Sequence, residues 1–128
     1  MKILIVDDSD IVRQRLATLF SNFKETVDVR EARDTLEAIE SFSLMGPDLA
    51  VVDIQMPGGS GIEVLRHIRR TNMKTTVIMY TSYPYPKYRE RCREEGADYF
   101  FDKTTESEKL IDTILSIIGS EGSRTGCI

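Results

Sequence analysis

Four short apolar runs along this chain each give way to polar chemistry. Ile3-Leu4-Ile5-Val6 stops at Asp7-Asp8, and Leu49-Ala50-Val51-Val52 stops at Asp53. Val77-Ile78-Met79-Tyr80 ends at Thr81-Ser82, and Tyr99-Phe100-Phe101 leads through Asp102 to Lys103. Continuous apolar runs of this length fit parallel strands covered on both faces. The pattern predicts strands over 2–6, 49–53, 76–80 and about 98–101, and a weaker strand over 26–31 suited to a sheet edge. Between them apolar residues recur at helical spacing. Ile11, Val12, Leu16, Leu19, Phe20 and Phe23 mark a helix over 9–23, and Leu36, Ile39 and Phe42 an inward face over 34–44. Ile62, Leu65 and Ile68 mark one from Gly61 to about Arg70, and Leu110, Ile111, Ile114 and Ile117 or Ile118 one over 106–118. Pro84 and Pro86 fit only before or within the first turn of another helix, which ends near Glu95 with Gly96 as its C′ residue. Gly46-Pro47 and the run Met56-Pro57-Gly58-Gly59-Ser60-Gly61 read as turns, and Ser60 with Glu63 reads as a capping box. Residues 119–128 are polar and glycine-rich, and are expected to form a mobile tail beyond a domain of residues 1–118.

Five strands alternating with five helices predict a three-layer α/β fold with right-handed connections. The two most apolar strands, the first and third, belong at its centre. The strand order that sets their ends side by side is 2-1-3-4-5, a flavodoxin-like doubly wound parallel sheet. Ligands of such sheets bind beyond the carboxyl ends of the strands, at the topological switch point. Asp7, Asp8, Asp53, Thr81, Ser82 and Lys103 would therefore share one site.

The chain has 128 residues, of which 41% are hydrophobic and 30% charged, a mix that suits one globular domain with a real core. No apolar run approaches the ~18–20 residues of a membrane span. The start turns acidic too soon for a signal peptide. A net charge of −4 argues against nucleic acid as a direct partner. Cys92 and Cys127 lack metal-ligand spacing, and the pair fits a reducing cytoplasm better than a disulfide framework. His67 is expected on the outer side of its helix, and Cys92 as a small residue on the helix before Gly96.

Carboxylates gathered this closely repel: a pair about 4 Å apart costs on the order of 4 kcal/mol at an effective dielectric of 20. A raised pKa or a bound cation offsets that cost. Oxygen donors without histidine or cysteine select a hard ion such as Mg2+, which is commonly held by one or two carboxylates with water and phosphate. Asp53, alone at its strand end, suits an in-line nucleophile that forms an aspartyl phosphate. Lys103 and the Thr81 hydroxyl would neutralise and bind the transferred group.

The ordered set Ile-Val-Asp7-Asp8, Asp53-Ile-Gln-Met-Pro57-Gly-Gly-Ser-Gly61, Tyr80-Thr81-Ser82 and Gly96-Ala-Asp-Tyr-Phe-Phe-Asp-Lys103 resembles the receiver domain of two-component response regulators, over residues 1 to about 118. The resemblance implies a phosphoacceptor switch and not an enzyme, with Asp53 taking a phosphoryl group from a histidine kinase or phosphotransfer protein, or from a small acyl phosphate. It implies Mg2+ bound by Asp8, Asp53 and the Gln55 carbonyl, with Asp7 acting through water. It also implies phosphoryl contacts from Thr81, Lys103 and the Ser82 amide, and Thr81 and Phe100 as the switch residues. Output would pass through contacts with an unnamed downstream protein, or through a phosphorylation-dependent homodimer. Two rival readings remain: a phosphate-independent receiver-like binding module, and a small aspartate-based phosphatase. The second would want an aspartate just after the nucleophile, where Ile54-Gln55 stands.

The chain departs from the family pattern at three places. Thr104 follows the lysine where most relatives carry a cis proline. A cis bond to a non-proline residue costs about 2.5–4 kcal/mol, so a trans bond and an altered loop are expected. Phe100 has no hydroxyl, so switching would be read from ring packing, while Tyr99 points to the other face. Gln55 and Tyr83 lie two residues beyond Asp53 and Thr81, where they would affect the hydrolytic water. The exposed tyrosines of the 83–88 stretch are a candidate partner surface.

Overall fold

The computed structural model describes residues 1–23, 27–72 and 74–126, with side chains through Gly119. In chain order the elements are β1 (Lys2–Val6), α1 (Asp10–Ser21), β2 (Asp28–Ala32), α2 (Thr35–Met45), β3 (Leu49–Val52), β4 (Gln55–Met56), β5 (Gly59–Ser60), α3 (Gly61–Thr71), β6 (Thr76–Thr81), α4 (Pro86–Glu94), β7 (Tyr99–Asp102) and α5 (Ser107–Gly126). Five strands form one parallel sheet in the order β2-β1-β3-β6-β7. This is the expected 2-1-3-4-5 order, because β4 and β5 pair only with each other as a two-residue antiparallel ribbon. All of that ribbon but Gln55 lies inside the stretch read from sequence as a plain turn.

The central strands are buried on both faces, which is why they read as unbroken apolar runs. Leu4, Val6, Ala50, Val52, Val77 and Met79 point to one side and pack with Phe42 and Met45 of α2, Leu65 and Ile68 of α3 and Cys92 of α4. Ile3, Ile5, Val51, Ile78 and Tyr80 point to the other and meet Leu16 and Phe20 of α1 and Leu110 and Ile114 of α5. Each fully buried aliphatic or aromatic side chain contributes roughly 1.5–3 kcal/mol. The charged β2 takes the edge position, as its sequence required. Thr26, expected to begin that strand, lies outside the described residues.

Helix boundaries follow from local chemistry. Ser9 caps α1 by accepting from the Val12 amide at 3.3 Å, and Asp34 caps α2 by accepting from the Glu37 amide at 2.8 Å. Ser60 caps α3 through the Ile62 amide at 3.1 Å, so the expected reciprocal box with Glu63 is not made. Pro86 is the first residue of α4, where its missing N–H costs nothing. Gly96 ends that helix with φ 97°, and the Gly96 and Ala97 amides return to the carbonyls of Arg93 and Cys92 in a Schellman turn.

Several inward assignments are corrected. Leu36 is 69% exposed and Ile11 60% exposed, because α2 and α1 turn Ala38, Phe42 and Met45, and Arg13, Leu16 and Phe20, toward the sheet instead. His67 is half-buried and stands edge-on to Phe42, ring centroids 5.9 Å apart, because α2 covers that flank of α3. The backbone of α5 continues to Gly126, past the expected end at 118. Cys127 and Ile128, the end of the expected tail, lie outside the described residues. No helix of the described residues is long and apolar enough to cross a membrane.

Candidate functional site

The parallel register delivers the polar strand ends to one edge of the sheet. Val6 lies opposite Val52, Val52 opposite Met79, and Thr81 opposite Asp102. The residues immediately after these positions therefore converge. One oxygen from each of Asp7, Asp8 and Asp53 lies within 4.8 Å of the others. Lys103 Nζ sits among them, 2.6 Å from Asp7 Oδ2 and 3.1 Å from Asp53 Oδ2. Asp7 and Asp53 are buried, whereas Asp8 is exposed.

Each carboxylate is held by the backbone around it. Asp7 Oδ1 accepts from the Ser9 amide at 2.9 Å, and Asp53 Oδ1 from the Ile54 amide at 2.8 Å. The Asp53 amide itself donates to the Val6 carbonyl at 2.9 Å, so β1 fixes the height of Asp53 above the sheet. Burial pushes the Asp53 carboxyl above the ordinary aspartate range. The Lys103 charge pulls it down, and the Asp7 charge adds to the rise. Burial opposes the Lys103 charge, but its hydrogen bond to Asp7 and the nearby Asp53 and Asp7 charges outweigh that, so its proton is held above the ordinary lysine range. With all three carboxylates ionised, one ammonium leaves two negative charges uncompensated in a partly buried place.

That donor set fits a small hard cation. Three carboxylate oxygens are available, and opposite ligands of Mg2+ stand about 4 Å apart, close to the spacing already present. Among the described residues no histidine or cysteine joins this cluster.

Thr81 is fully buried at the end of β6, and its hydroxyl accepts from the Tyr83 amide at 3.0 Å, leaving its own proton free to donate. Ser82 is exposed beside it. Gln55 begins β4 with its side chain exposed, and its Nε2 reaches Tyr88 Oη at 3.5 Å. Phe100 is half-buried on the α4 side of β7, with the Arg89 guanidinium 4.5 Å from its ring centroid. Tyr99 faces the opposite way and stacks on Phe101, as strand alternation requires. No cis peptide bond occurs among the described residues, so Lys103–Thr104 is trans as expected. The loop after Lys103 is held by Asp102, whose carboxylate accepts from the Thr104 hydroxyl, from the Thr104 amide at 2.8 Å and from the Thr105 hydroxyl at 3.0 Å. These bonds, the Thr104 hydroxyl first among them, hold the Asp102 carboxyl below its ordinary range.

One residue beneath the site escaped the sequence reading. Arg13 is buried, and its Nη1 donates to the Asp7 carbonyl at 2.6 Å. Its Nε donates to Glu31 of β2 at 3.1 Å, and it also pairs with Asp10. The available signal was its place in the inward series Arg13, Leu16, Phe20: an arginine at a core position of an amphipathic helix needs buried acceptors.

Comparison with known proteins agrees with this arrangement. The family described as response regulator receiver domain matches residues 3–115. The chain is 30% identical over 117 residues to the chemotaxis protein CheY of Halobacterium salinarum, covering 91% of this chain and 96% of that protein. It is also 30% identical over 117 residues to the transcriptional regulatory protein LnrK of Bacillus subtilis, covering 91% of this chain but 53% of that protein, so it spans about half the length of such relatives. A chain in the crystal structure of the CheX-CheY-BeF3-Mg+2 complex from Borrelia burgdorferi superposes with a TM-score of 0.81 at 26% identity, covering 92% of this chain and 89% of that one. The chain belongs to the response regulator receiver domain family.

Proposed function

We propose that this chain is a Mg2+-dependent phosphoacceptor switch that takes a phosphoryl group onto Asp53. The observation that carries this reading is the Lys103 ammonium shared by Asp7 and Asp53 in a cluster that also contains Asp8. An Asp53 oxygen attacks phosphorus. The new bond is Asp53 O–P, and the bond that breaks is P–N of a phosphohistidine or P–O of an acyl phosphate, whose imidazole or carboxylate leaves with the electron pair. Asp7, Asp8 and Asp53, with the Gln55 carbonyl, would hold the ion. When bound, the ion supplies positive charge that offsets both the carboxylates and the phosphoryl oxygens.

The protein's own groups do the remainder. Lys103 already lies within hydrogen-bond distance of Asp53, so it is placed to follow negative charge onto the transferred group. The free proton of Thr81 and the backbone amide of Ser82 would offer further donors to the phosphoryl oxygens. Movement of Thr81 toward that group would alter packing at the end of β6, next to β7 and Phe100. Phe100 sits between Arg89 of α4 and the core, so a change in its packing reaches the surface formed by α4, β7 and α5. Signalling through that surface, by contact with another protein, is the proposed output. The CheY relative in complex with CheX, BeF3 and Mg2+ supports this reading by likeness.

Mass spectrometry after treatment with acetyl phosphate tests it. The expected result is a gain of one phosphoryl group that requires Mg2+ and is lost in Asp53→Asn. No gain in the wild-type chain supports the phosphate-independent binding module. Sustained release of phosphate from a phosphomonoester supports the phosphatase.

A further inference from the structure

Lys103 must keep its ammonium between two carboxylates, although the loop that follows it is exposed at Thr104 and Thr105. Its backbone is fastened at both ends. The Lys103 amide donates to the Thr81 carbonyl at 2.8 Å, continuing the β6–β7 ladder by one rung. The Lys103 carbonyl accepts from Ser107 Oγ at 3.0 Å, and Ser107 Oγ lies 2.7 Å from Tyr80 Oη. A hydroxyl carries one proton, and a carbonyl can only accept. The Ser107 proton is therefore committed to Lys103, and Tyr80 must donate to Ser107. The result is a directed relay: Tyr80 hydroxyl to Ser107 hydroxyl to Lys103 carbonyl. The same tyrosine ring lies 5.8 Å from Lys103 Nζ, within the range of a cation–π contact.

Tyr80 is well placed to anchor this relay. It is the penultimate residue of β6, is 9% exposed, and is packed in the layer formed with α1 and α5. Ser107 is the first residue of α5. Tyr80 thus ties the sheet directly to the start of a helix, and the helix's first hydroxyl holds the Lys103 backbone. Nothing in phosphoryl transfer requires a hydroxyl at either position, and neither group touches the carboxylates.

We infer that Tyr80 and Ser107 are positioning residues that aim Lys103 at the Asp7–Asp53 pair, through the hydrogen-bonded relay and the ring beneath its side chain. The inference rests on the phosphoacceptor reading only for its kinetic consequence. Its geometric content concerns the lysine alone.

The test uses the full chain as wild type, Tyr80→Phe, Ser107→Ala, the double variant and Ser107→Thr. Phenylalanine keeps the ring and removes only the donor, and threonine keeps the hydroxyl. In each protein, the 15Nζ and 13Cε chemical shifts of Lys103 are recorded without phosphodonor. Magnesium affinity is then measured by calorimetry, and the phosphorylation rate with acetyl phosphate. The Lys103 shifts should move in Tyr80→Phe and Ser107→Ala and return in Ser107→Thr. The phosphorylation rate should fall roughly two- to tenfold in each single variant. The double variant should be no slower than the slower single one, since both break one relay. Magnesium affinity should stay within twofold of wild type, because its ligands are untouched.

Unmoved Lys103 shifts in both single variants overturn the inference, as does a loss of magnesium affinity parallel to the rate. A wild-type chain that takes no phosphoryl group overturns the phosphoacceptor reading instead, while the Lys103 shifts still decide the positioning claim.

Discussion

A Cβ placed on Gly61 would lie 1.8 Å from the carbonyl oxygen of Asp53. The first residue of α3 thus rests directly against the backbone of the proposed acceptor, and the Gly61 amide donates to the Ile54 carbonyl at 2.8 Å. The glycine is demanded by contact and not by backbone angle, for its φ is not in the left-handed region. The clash is with backbone, which cannot rotate away. Gly61→Ala should therefore displace residues 53 and 54, lowering stability by about 2 kcal/mol or more. It should also slow acetyl-phosphate labelling of Asp53 by more than the stability loss alone explains. Urea denaturation with parallel labelling kinetics checks this. Wild-type values for both would contradict the contact.

Removing Lys103 separates its two roles. In Lys103→Met, Asp7 and Asp53 lose the ammonium that both of them pair with. The metal-free protein should be destabilised by a few kcal/mol, since carboxylates buried beside one another are left unpaired. Added Mg2+ should restore most of that loss, because the vacated charge makes the cluster a better cation site. The expected pattern is a lower magnesium dissociation constant together with a much slower phosphorylation rate. Weaker magnesium binding in this variant would show that Lys103 organises the carboxylates and does not compete with the ion.

The raised Asp53 pKa has a definite sign in stability. The folded chain holds this proton at higher pH than the unfolded chain does. Folding is therefore favoured by this group at acid pH. That contribution is lost as pH rises from the ordinary aspartate value through the raised folded value, and stays lost above it. Asp53→Asn removes the buried charge without removing the shape. Metal-free Asp53→Asn should be more stable than wild type at neutral pH, with the gap closing as acid protonates the wild-type carboxyl. Thermal denaturation across pH 3 to 8, at about ten points in chelator, reads the effect. A gap that is constant with pH would assign the change to packing.

How much of this was legible in the sequence follows from which forces leave a one-dimensional trace. Parallel strands buried on both faces must be continuously apolar, so their ends, and with them Asp7, Asp53, Thr81 and Lys103, could be located by reading. The stop at Gly96 is local and was equally visible, whereas Ser9, read as the first helical residue, is the cap. Contacts between neighbouring helices leave no such trace. Periodicity marks the direction of the sheet, and so His67 was placed outside although α2 covers it against Phe42. Its Nε2 is buried without a hydrogen-bond partner among the described residues. Leu36 was placed inside, although Ala38 and Phe42 take that face. The Ser107–Tyr80 bond joins residues 27 apart on separate elements, and only the fold brings them together.

Arg13 offers a stability test that burial makes specific. Its partners differ in their access to water: the side chains of Asp10 and Glu31 are 77% and 42% exposed, so water replaces the arginine there. The Asp7 carbonyl has no such access through its buried residue. Arg13→Met keeps the packing of the stem and leaves that carbonyl unsatisfied, a loss of about 1–3 kcal/mol. Because Asp7 and Asp8 share the turn, magnesium affinity should fall as well. Calorimetric titration of a variant shown to be folded checks the second effect, and unchanged affinity would confine Arg13 to stability.

The lifetime of the aspartyl phosphate should depend on the rim beside the acceptor. Gln55 reaches Tyr88 at 3.5 Å, and the rings of Tyr83, Tyr85 and Tyr88 follow one another at 6.3 and 5.8 Å between centroids. Tyr83 also fixes the Thr81 hydroxyl through its amide, a bond that survives truncation of its side chain. Gln55→Ala and Tyr83→Ala therefore remove cover without removing a proposed phosphoryl contact. Water approaches the phosphorus more freely, and each variant should lose its label faster, by roughly two- to tenfold for a barrier change of about 0.5–1.5 kcal/mol. The measurement is the decay of the phosphorylated mass after the donor is removed. Equal decay in both variants and wild type would show that the rim does not govern access.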